Sequence, residues 1–242
     1  MVMLFDLHLH SRFSVDALSK PQTIVKVCKN KGIGFALTDH NNMGAYFSKP
    51  SVKKLAKDAG VFLIPAEEIK VIENNDLGKV SDKRSVKPVV AGEVVAYFLK
   101  KPIVPATFGE IVDAVHSQGA LLSCPHPFDW PRKNFKAFPK VWKEFDCMEV
   151  YNARAYYQGL NKKAVKFSEK KEVVGNIALL GVSDAHTPNE IGNGLTEINA
   201  SNEEEFRKEI KKCRTRVVSN ARANIWDHFQ TQLAKRNLVS SK

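Results

Sequence analysis

Short apolar runs alternate with amphipathic stretches along most of this 242-residue chain, and that rhythm limits the possible folds more than any other feature. Runs at 4–9, 34–38, 61–65, 94–98, 120–124, 147–151 and 177–183 read as seven strands. Helices are expected over 21–31, where Ser19 and Pro21 look like an N-cap and a first-turn proline, and over 52–58, 108–118 and 158–171. Strands alternating with helices point to a single α/β barrel, with an open doubly wound sheet as the alternative. The polar stretch 70–92, with Asn74, Asn75 and Gly78, reads as a surface excursion between two units and not as a linker, so 1–242 is expected to be one domain. A charged segment, 203–212, precedes a short apolar run at Val217 and Val218 and an amphipathic tail over 222–242.

Five of the seven histidines, His8, His10, His40, His126 and His186, fall at the ends of expected strands. In parallel α/β folds the C-terminal strand edge surrounds a common cavity, so this distribution predicts a site there. His8 and His10 are two apart and face the same side of a strand; Asp184 and His186 are expected to repeat that geometry on the last strand. Carboxylates stand at matching places: Asp16 after the first strand, Glu67 or Glu68 after the third, and Glu93 before the fourth. Imidazoles mixed with carboxylates, without cysteine, suit a catalytic cluster of manganese, zinc or iron and not a structural zinc site. His116, within a helix, and His228, in the tail, are expected at the surface or in packing.

Other chemistries lack support. Gly92 and Gly109 belong to no phosphate-cradling loop, and no Gly-x-Ser-x-Gly elbow occurs. Ser183 beside Asp184 and His186 cannot relay a proton, because strand neighbours alternate faces. Cys28, Cys124, Cys147 and Cys213 are dispersed and read as reduced, mostly buried residues. No apolar run approaches the roughly 20 residues of a membrane span. Polar residues interrupt the N-terminus where a secretory signal would need its apolar region, so a cytoplasmic protein is expected. With 37 basic against 26 acidic side chains, the formal charge of +11 suggests an anionic partner.

These motifs resemble the PHP (polymerase and histidinol phosphatase) family of metal-dependent phosphoesterases, in its single-domain branch. The resemblance rests on DLHLHS at 6–11 with Asp16 following, TDH at 38–40, IPAEEIK at 64–70, CPHPF at 124–128 and GVSDAH at 181–186. EVYNAR at 149–154 and HTPNEIG at 186–192 are similar to segments of the single-domain branch. The resemblance implies a distorted (β/α)7 TIM-like barrel with two or three divalent ions at the C-terminal strand ends. Its ligand set maps onto His8, His10, Asp16, His40, Glu68, His126, Asp184 and His186. One place departs from the pattern: GEVVAYF puts Glu93 where the family usually has histidine. A carboxylate there still suits a hard or borderline cation.

The implied chemistry is hydrolysis of a phosphate ester by a metal-bound hydroxide, with the cations clamping the non-bridging oxygens. Arg12, Arg132 and Arg154 are candidates for gripping the phosphate, and Asp6 and Asp39 for orienting ligating histidines. A phosphorylated small molecule, a nucleotide or a short oligonucleotide end is the expected substrate. The alternatives are a nuclease on longer RNA or DNA and a non-catalytic nucleic-acid-binding subunit.

Overall fold

The computed structural model describes residues 1–73, 89–223, 226, 227, 230 and 231. Most of the excursion, most of the tail and His228 lie outside the described residues. Nine strands form one mixed sheet in the order β7-β6-β5-β4-β3-β2-β1-β8-β9. They are β1 (Val2–Leu9), β2 (Gly34–Leu37), β3 (Leu63–Ile72), β4 (Val90–Tyr97), β5 (Leu121–Cys124), β6 (Cys147–Asn152), β7 (Ala178–Val182), β8 (Gly194–Asn199) and β9 (Thr215–Ser219). Helices α1 (Pro21–Lys31), α2 (Gly44–Phe47), α3 (Val52–Ala59), α4 (Phe108–Ser117), α5 (Phe138–Val141), α6 (Gln158–Ser168) and α7 (Glu203–Lys211) complete the fold. The α/β barrel expected from the alternation is present as a nearly closed sheet.

Four details correct the sequence reading. Among the described residues there are nine strands and not seven, because Gly194–Asn199 pairs antiparallel with β1 and Thr215–Ser219 antiparallel with Gly194–Asn199. The rim of the 70–92 excursion is strand, since β3 and β4 pair as far out as Ile72 with Val90. The N-cap of α1 is Lys20, with Pro21 opening the helix, while Ser19 is buried without a capping bond. Finally, β4 runs antiparallel to both neighbours, whereas β1, β2 and β3 are parallel, as are β5, β6 and β7. The reversal is possible because β3 and β4 join as a hairpin needing no crossover helix. It carries the start of β4, and Glu93 with it, to the edge where the parallel strands end.

Two apolar layers sandwich the sheet. Phe5, Leu7, Ala36, Ile64, Ala66, Val95, Tyr97 and Leu180 fill the barrel interior, and Phe206 and Ile210 of α7 join them. The Phe206 ring packs edge-on to Phe5 and Phe98 at 5.1 and 5.4 Å. Outside, Ile24, Val25 and Cys28 of α1, Val52 and Ala56 of α3, and Ile111 and Val115 of α4 pack on the sheet. Cys28, Cys124, Cys147 and Cys213 are all free thiols, and the first three are buried.

The closing seam lies between β7 and the pair β8–β9. Thr196 Oγ1 accepts from Gly181 N–H at 3.0 Å and donates to its carbonyl at 2.9 Å, and Thr215 Oγ1 treats Leu179 likewise at 3.2 and 2.7 Å. Hydroxyls thus replace ladder hydrogen bonds. The backbones approach so closely that a Cβ on Gly194 would lie 2.2 Å from Val182 O. Gly194→Ala is therefore expected to destabilise the fold by about 1–3 kcal/mol or more, the cost of forcing extra volume into packed structure. Thermal unfolding tests this, and an unchanged Tm would mean that the seam yields freely.

Candidate metal centre

A β-bulge decides which way the first motif faces. Between Asp6 and Leu9 the register against β2 shifts, with three steps along β1 opposite two along β2. Phe5 and Leu7 accordingly point into the barrel while Leu9 packs in the outer layer, and His8 and His10 are turned inward together. A second shift, between Glu149 and Tyr151 of β6, does the same for Glu149 and Asn152. Bulges of this kind re-aim side chains beside functional sites. Beyond the strand ends, Asn41, His126 and Asp184 take positive φ angles of 46°, 30° and 55°. Such backbone persists only where its surroundings over-determine it. Here Asn41 N–H bonds Glu68 O at 2.8 Å and His126 N–H bonds Glu149 Oε2 at 2.8 Å.

His8, His10, Asp16, His40, Glu68, Glu93, His126, Asp184 and His186 come together, and all of them except the buried His8 and His10 line one cavity. Glu68 is central: its Oε2 lies 3.6 Å from His8 Nε2, 3.5 Å from His10 Nε2 and 2.7 Å from His40 Nδ1, and its Oε1 lies 3.4 Å from His126 Nε2. Asp184 Oδ1 is 3.7, 3.5 and 3.5 Å from His8, His10 and His186. Asp16 Oδ1 is 3.4 Å from His40 and 3.6 Å from His186. Asp184 and His186 do not share a strand, since β7 ends at Val182; the following turn brings them together, with His186 Nδ1–H donating to Asp184 O at 2.8 Å. Three donor groups lie within 4.8 Å of one another: His10, His40 and His186; His8, His10 and Asp184; and His40, Glu68 and Glu93.

The donor chemistry fits cations. His8 Nδ1 is 2.7 Å from Glu149 Oε1, so it carries the proton and leaves the Nε2 lone pair aimed inward. Ser14 Oγ donates to Asp39 Oδ1 at 2.8 Å and therefore accepts from His10 Nδ1 at 3.3 Å, which sets the same tautomer on His10. The two Nε2 atoms stand 3.0 Å apart, a separation that calls for a proton or a cation between them. Both oxygens of Glu68 are buried yet make no hydrogen bond of good geometry among the described residues, and neither does His126 Nδ1.

The titration of these groups follows the same arrangement. Burial opposes a charge on His8, but Asp184, Glu149 and Glu68 outweigh it and hold its pKa well above the usual value. Burial, with the neighbouring His186 and His40 rings, lowers His10 to about 3. Burial would raise Glu68 and Asp184, yet the nearby His40 and His8 hold Glu68 well below the carboxylate range, and His8 and Arg132 do so for Asp184. Glu93 is raised instead, by burial and then by the charge of Glu68.

The remaining candidates divide. Arg132 and Arg154 line the cavity, whereas Arg12 is exposed and absent from its wall. Arg132 pairs with Asp184 and donates to Asp129 Oδ2 at 2.7 Å. Arg154 donates to Glu190 Oε1 at 2.6 Å, and Glu190 Oε2 accepts from His186 N–H and Thr187 N–H. Asp39 reaches His10 through Ser14. Among the described residues Asp6 bonds none of the candidate histidine rings; it accepts from Ser183 N–H at 3.0 Å and Gly192 N–H at 2.7 Å, fixing the turn that bears Asp184. Glu67, on the opposite face of β3 from Glu68, accepts from Ile103 N–H at 2.9 Å.

Glu149 and Asn152 were not anticipated as parts of the site. Asn152 donates to Glu149 Oε2 at 2.8 Å and Asp184 Oδ2 at 3.1 Å. A signal existed: EVYNAR places a carboxylate in an expected strand, as IPAEEIK does. The C-terminal segment also contributes, with Thr187 Oγ1 donating to Asp227 Oδ1 at 2.9 Å and Arg154 donating to Thr231 Oγ1 at 3.1 Å. Thr231 lines the cavity, and nothing in the sequence pattern ties it to the motifs.

A family model for the PHP domain matches residues 6–212. The chain belongs to the PHP domain family. Among curated proteins it is similar to the uncharacterized protein MJ0417 of Methanocaldococcus jannaschii, 30% identical over 92% of this chain and 85% of that one. Among solved structures it resembles a two-domain protein containing a predicted PHP-like metal-dependent phosphoesterase from Bacteroides vulgatus. That pair has a TM-score of 0.64 and 19% identity, covering 91% of this chain and 65% of the other, so this chain spans about two-thirds of that protein. It also resembles the lesion-specific endonuclease PfuEndoQ from Pyrococcus furiosus, with a TM-score of 0.58 and 19% identity over 93% of this chain and 60% of the other. At these identities the structural likeness speaks for the PHP fold alone. No helix among the described residues is long and apolar enough to cross a membrane.

Within this PHP site Glu93 invites a direct test. Glu93→Ala is expected to weaken binding at a single metal position, and Glu93→His to restore occupancy with a changed metal preference. Elemental analysis after dialysis reads both; a full metal complement in the alanine variant would remove Glu93 from the ligand set.

Proposed function

We propose that the protein is a metal-dependent hydrolase of phosphate esters, acting on a phosphomonoester or phosphodiester of a nucleotide or short oligonucleotide end. The supporting observation is the convergence of five histidines and four carboxylates beside one cavity, which seven of them line together with Arg132 and Arg154. Two or three divalent ions, manganese, zinc or iron, would be held by His8, His10, Asp16, His40, Glu68, Glu93, His126, Asp184 and His186. Bound there, they would supply Lewis acidity toward the phosphate and activate a water molecule.

The protein's own groups do the positioning. Glu149, and Asp39 through Ser14, fix the ring tautomers of His8 and His10. Arg132 and Arg154 present guanidinium groups suited to phosphate oxygens. The cavity, about 330 Å³, lies at the small end of ligand pockets, which span roughly 300–1,000 Å³ and admit one nucleotide-sized group more readily than a duplex.

Manganese-loaded protein should hydrolyse simple phosphate esters and lose that activity with a chelator. A loaded protein inert toward mono- and diesters alike would refute the reading.

A second reading, a nuclease on longer strands, is favoured by the formal charge of +11 and the structural likeness to an endonuclease. It predicts turnover on a long single strand that falls steeply with salt, because each neutralised backbone phosphate releases counterions. A shallow salt dependence would favour the small substrate. A purely non-catalytic role fits poorly with so complete a set of ligands.

A further inference from the structure

One residue of the cavity lining, Tyr156, is a tyrosine. Its side chain remains 60% exposed, and the ring stands edge to face with that of Tyr157, 54% exposed, at a centroid distance of 5.1 Å and an interplanar angle of 66°. In such a pair at least one face of each ring stays uncovered by the other. An aromatic left in water forgoes the burial that usually places such residues inside, so an exposed ring in a polar cavity is informative.

The ring's backbone is also fixed relative to the metal ligands. Tyr156 N–H bonds Asp129 Oδ2 at 3.3 Å; the same oxygen accepts from Arg132 Nε at 2.7 Å, and Arg132 pairs with Asp184. Asp129 is 2% exposed, so this link is shielded from solvent. The chain of contacts runs from the proposed metal site to Tyr156 through side chains locked by charge. Lys70 and Lys133 line the same cavity, Lys133 Nζ being 3.9 Å from Glu93 Oε1. A ligand entering here would meet cation-binding groups and guanidinium at one end, ammonium groups at the rim, and an open ring face.

Resting on the phosphoesterase reading, we propose that Tyr156 stacks on a nucleobase and makes the site selective for nucleotides over phosphate esters lacking a planar base. The phosphate would lie toward Arg132 and the ligand cluster, and the base against the tyrosine. The hydroxyl is not required, because stacking uses the ring face alone.

The test compares adenosine 5′-monophosphate with ribose 5-phosphate on the full-length, manganese-loaded protein. Calorimetric Kd values and kcat/KM are measured for the native chain, Tyr156→Ala and Tyr156→Phe. The native protein should favour the base-bearing ligand by roughly tenfold or more in Kd, the worth of one base–aromatic stack. Tyr156→Ala should remove most of that ratio and Tyr156→Phe should keep it. Equal affinity for the two ligands in the native chain, or a ratio that survives Tyr156→Ala, would overturn the inference while leaving the phosphoesterase reading intact. Ligands that bind with the expected ratio but are not hydrolysed would support the stack and count against turnover of these esters. If neither ligand binds, the inference fails together with the small-substrate reading.

Discussion

Glu68→Ala is expected to strip the protein of bound metal and abolish phosphate-ester hydrolysis. Among the described residues no other carboxylate of the site stands against as many histidines: its two oxygens lie within 3.6 Å of nitrogens on His8, His10, His40 and His126. Removing it deletes an anionic donor and also leaves four rings without the charge around which they gather. Metal content by elemental analysis and turnover with added manganese measure the two losses separately. Retention of full occupancy would show that the histidines hold the ions without it. Because deleting a buried carboxylate can disturb folding, Glu68→Asp serves as the companion variant, and it should recover part of the metal while remaining slow, since the shortened side chain draws back from its partners.

The second large effect is expected at Glu149. It is 1% exposed and touches His8 Nδ1, the His126 amide and the Asn152 side chain, so it orients two of the histidines proposed to hold metal. Partners of this kind are worth about 10- to 100-fold in metal affinity or activity, and Glu149→Ala should fall in that range. Glu149→Gln keeps an acceptor of the same size for His8 and should lose less. Metal titrations read the change directly. If the alanine variant binds metal as tightly as the native protein, His8 is held by its own strand and Glu149 belongs to packing.

Much of this site was legible because chemistry and punctuation coincided. DLHLHS, TDH, CPHPF and GVSDAH each set histidine or aspartate where an apolar run ends, and the fold brings those ends together. What the sequence concealed was geometric. Strict alternation from Phe5 and Leu7 would aim His8 and His10 into the helix layer; the bulge before Leu9 that corrects this has no residue signature, being a property of pairing with β2. The antiparallel course of β4 was equally hidden, since an apolar run has no direction until its neighbours are known. β8 and β9 escaped because their polar residues serve the seam: Thr196 and Thr215 hydrogen-bond across it, which dilutes the apolar pattern.

The β3–β4 pairing has a mechanical consequence. Glu73 N–H bonds Val89 O at 2.9 Å, closing the two arms beyond the edge at which Glu68 and Glu93 stand. The ladder from Ala66 with Tyr97 out to Ile72 with Val90 therefore sets the separation of the two carboxylates within the sheet itself. The reversed strand thus makes that spacing a property of backbone pairing, as rigid as the sheet that carries both strands.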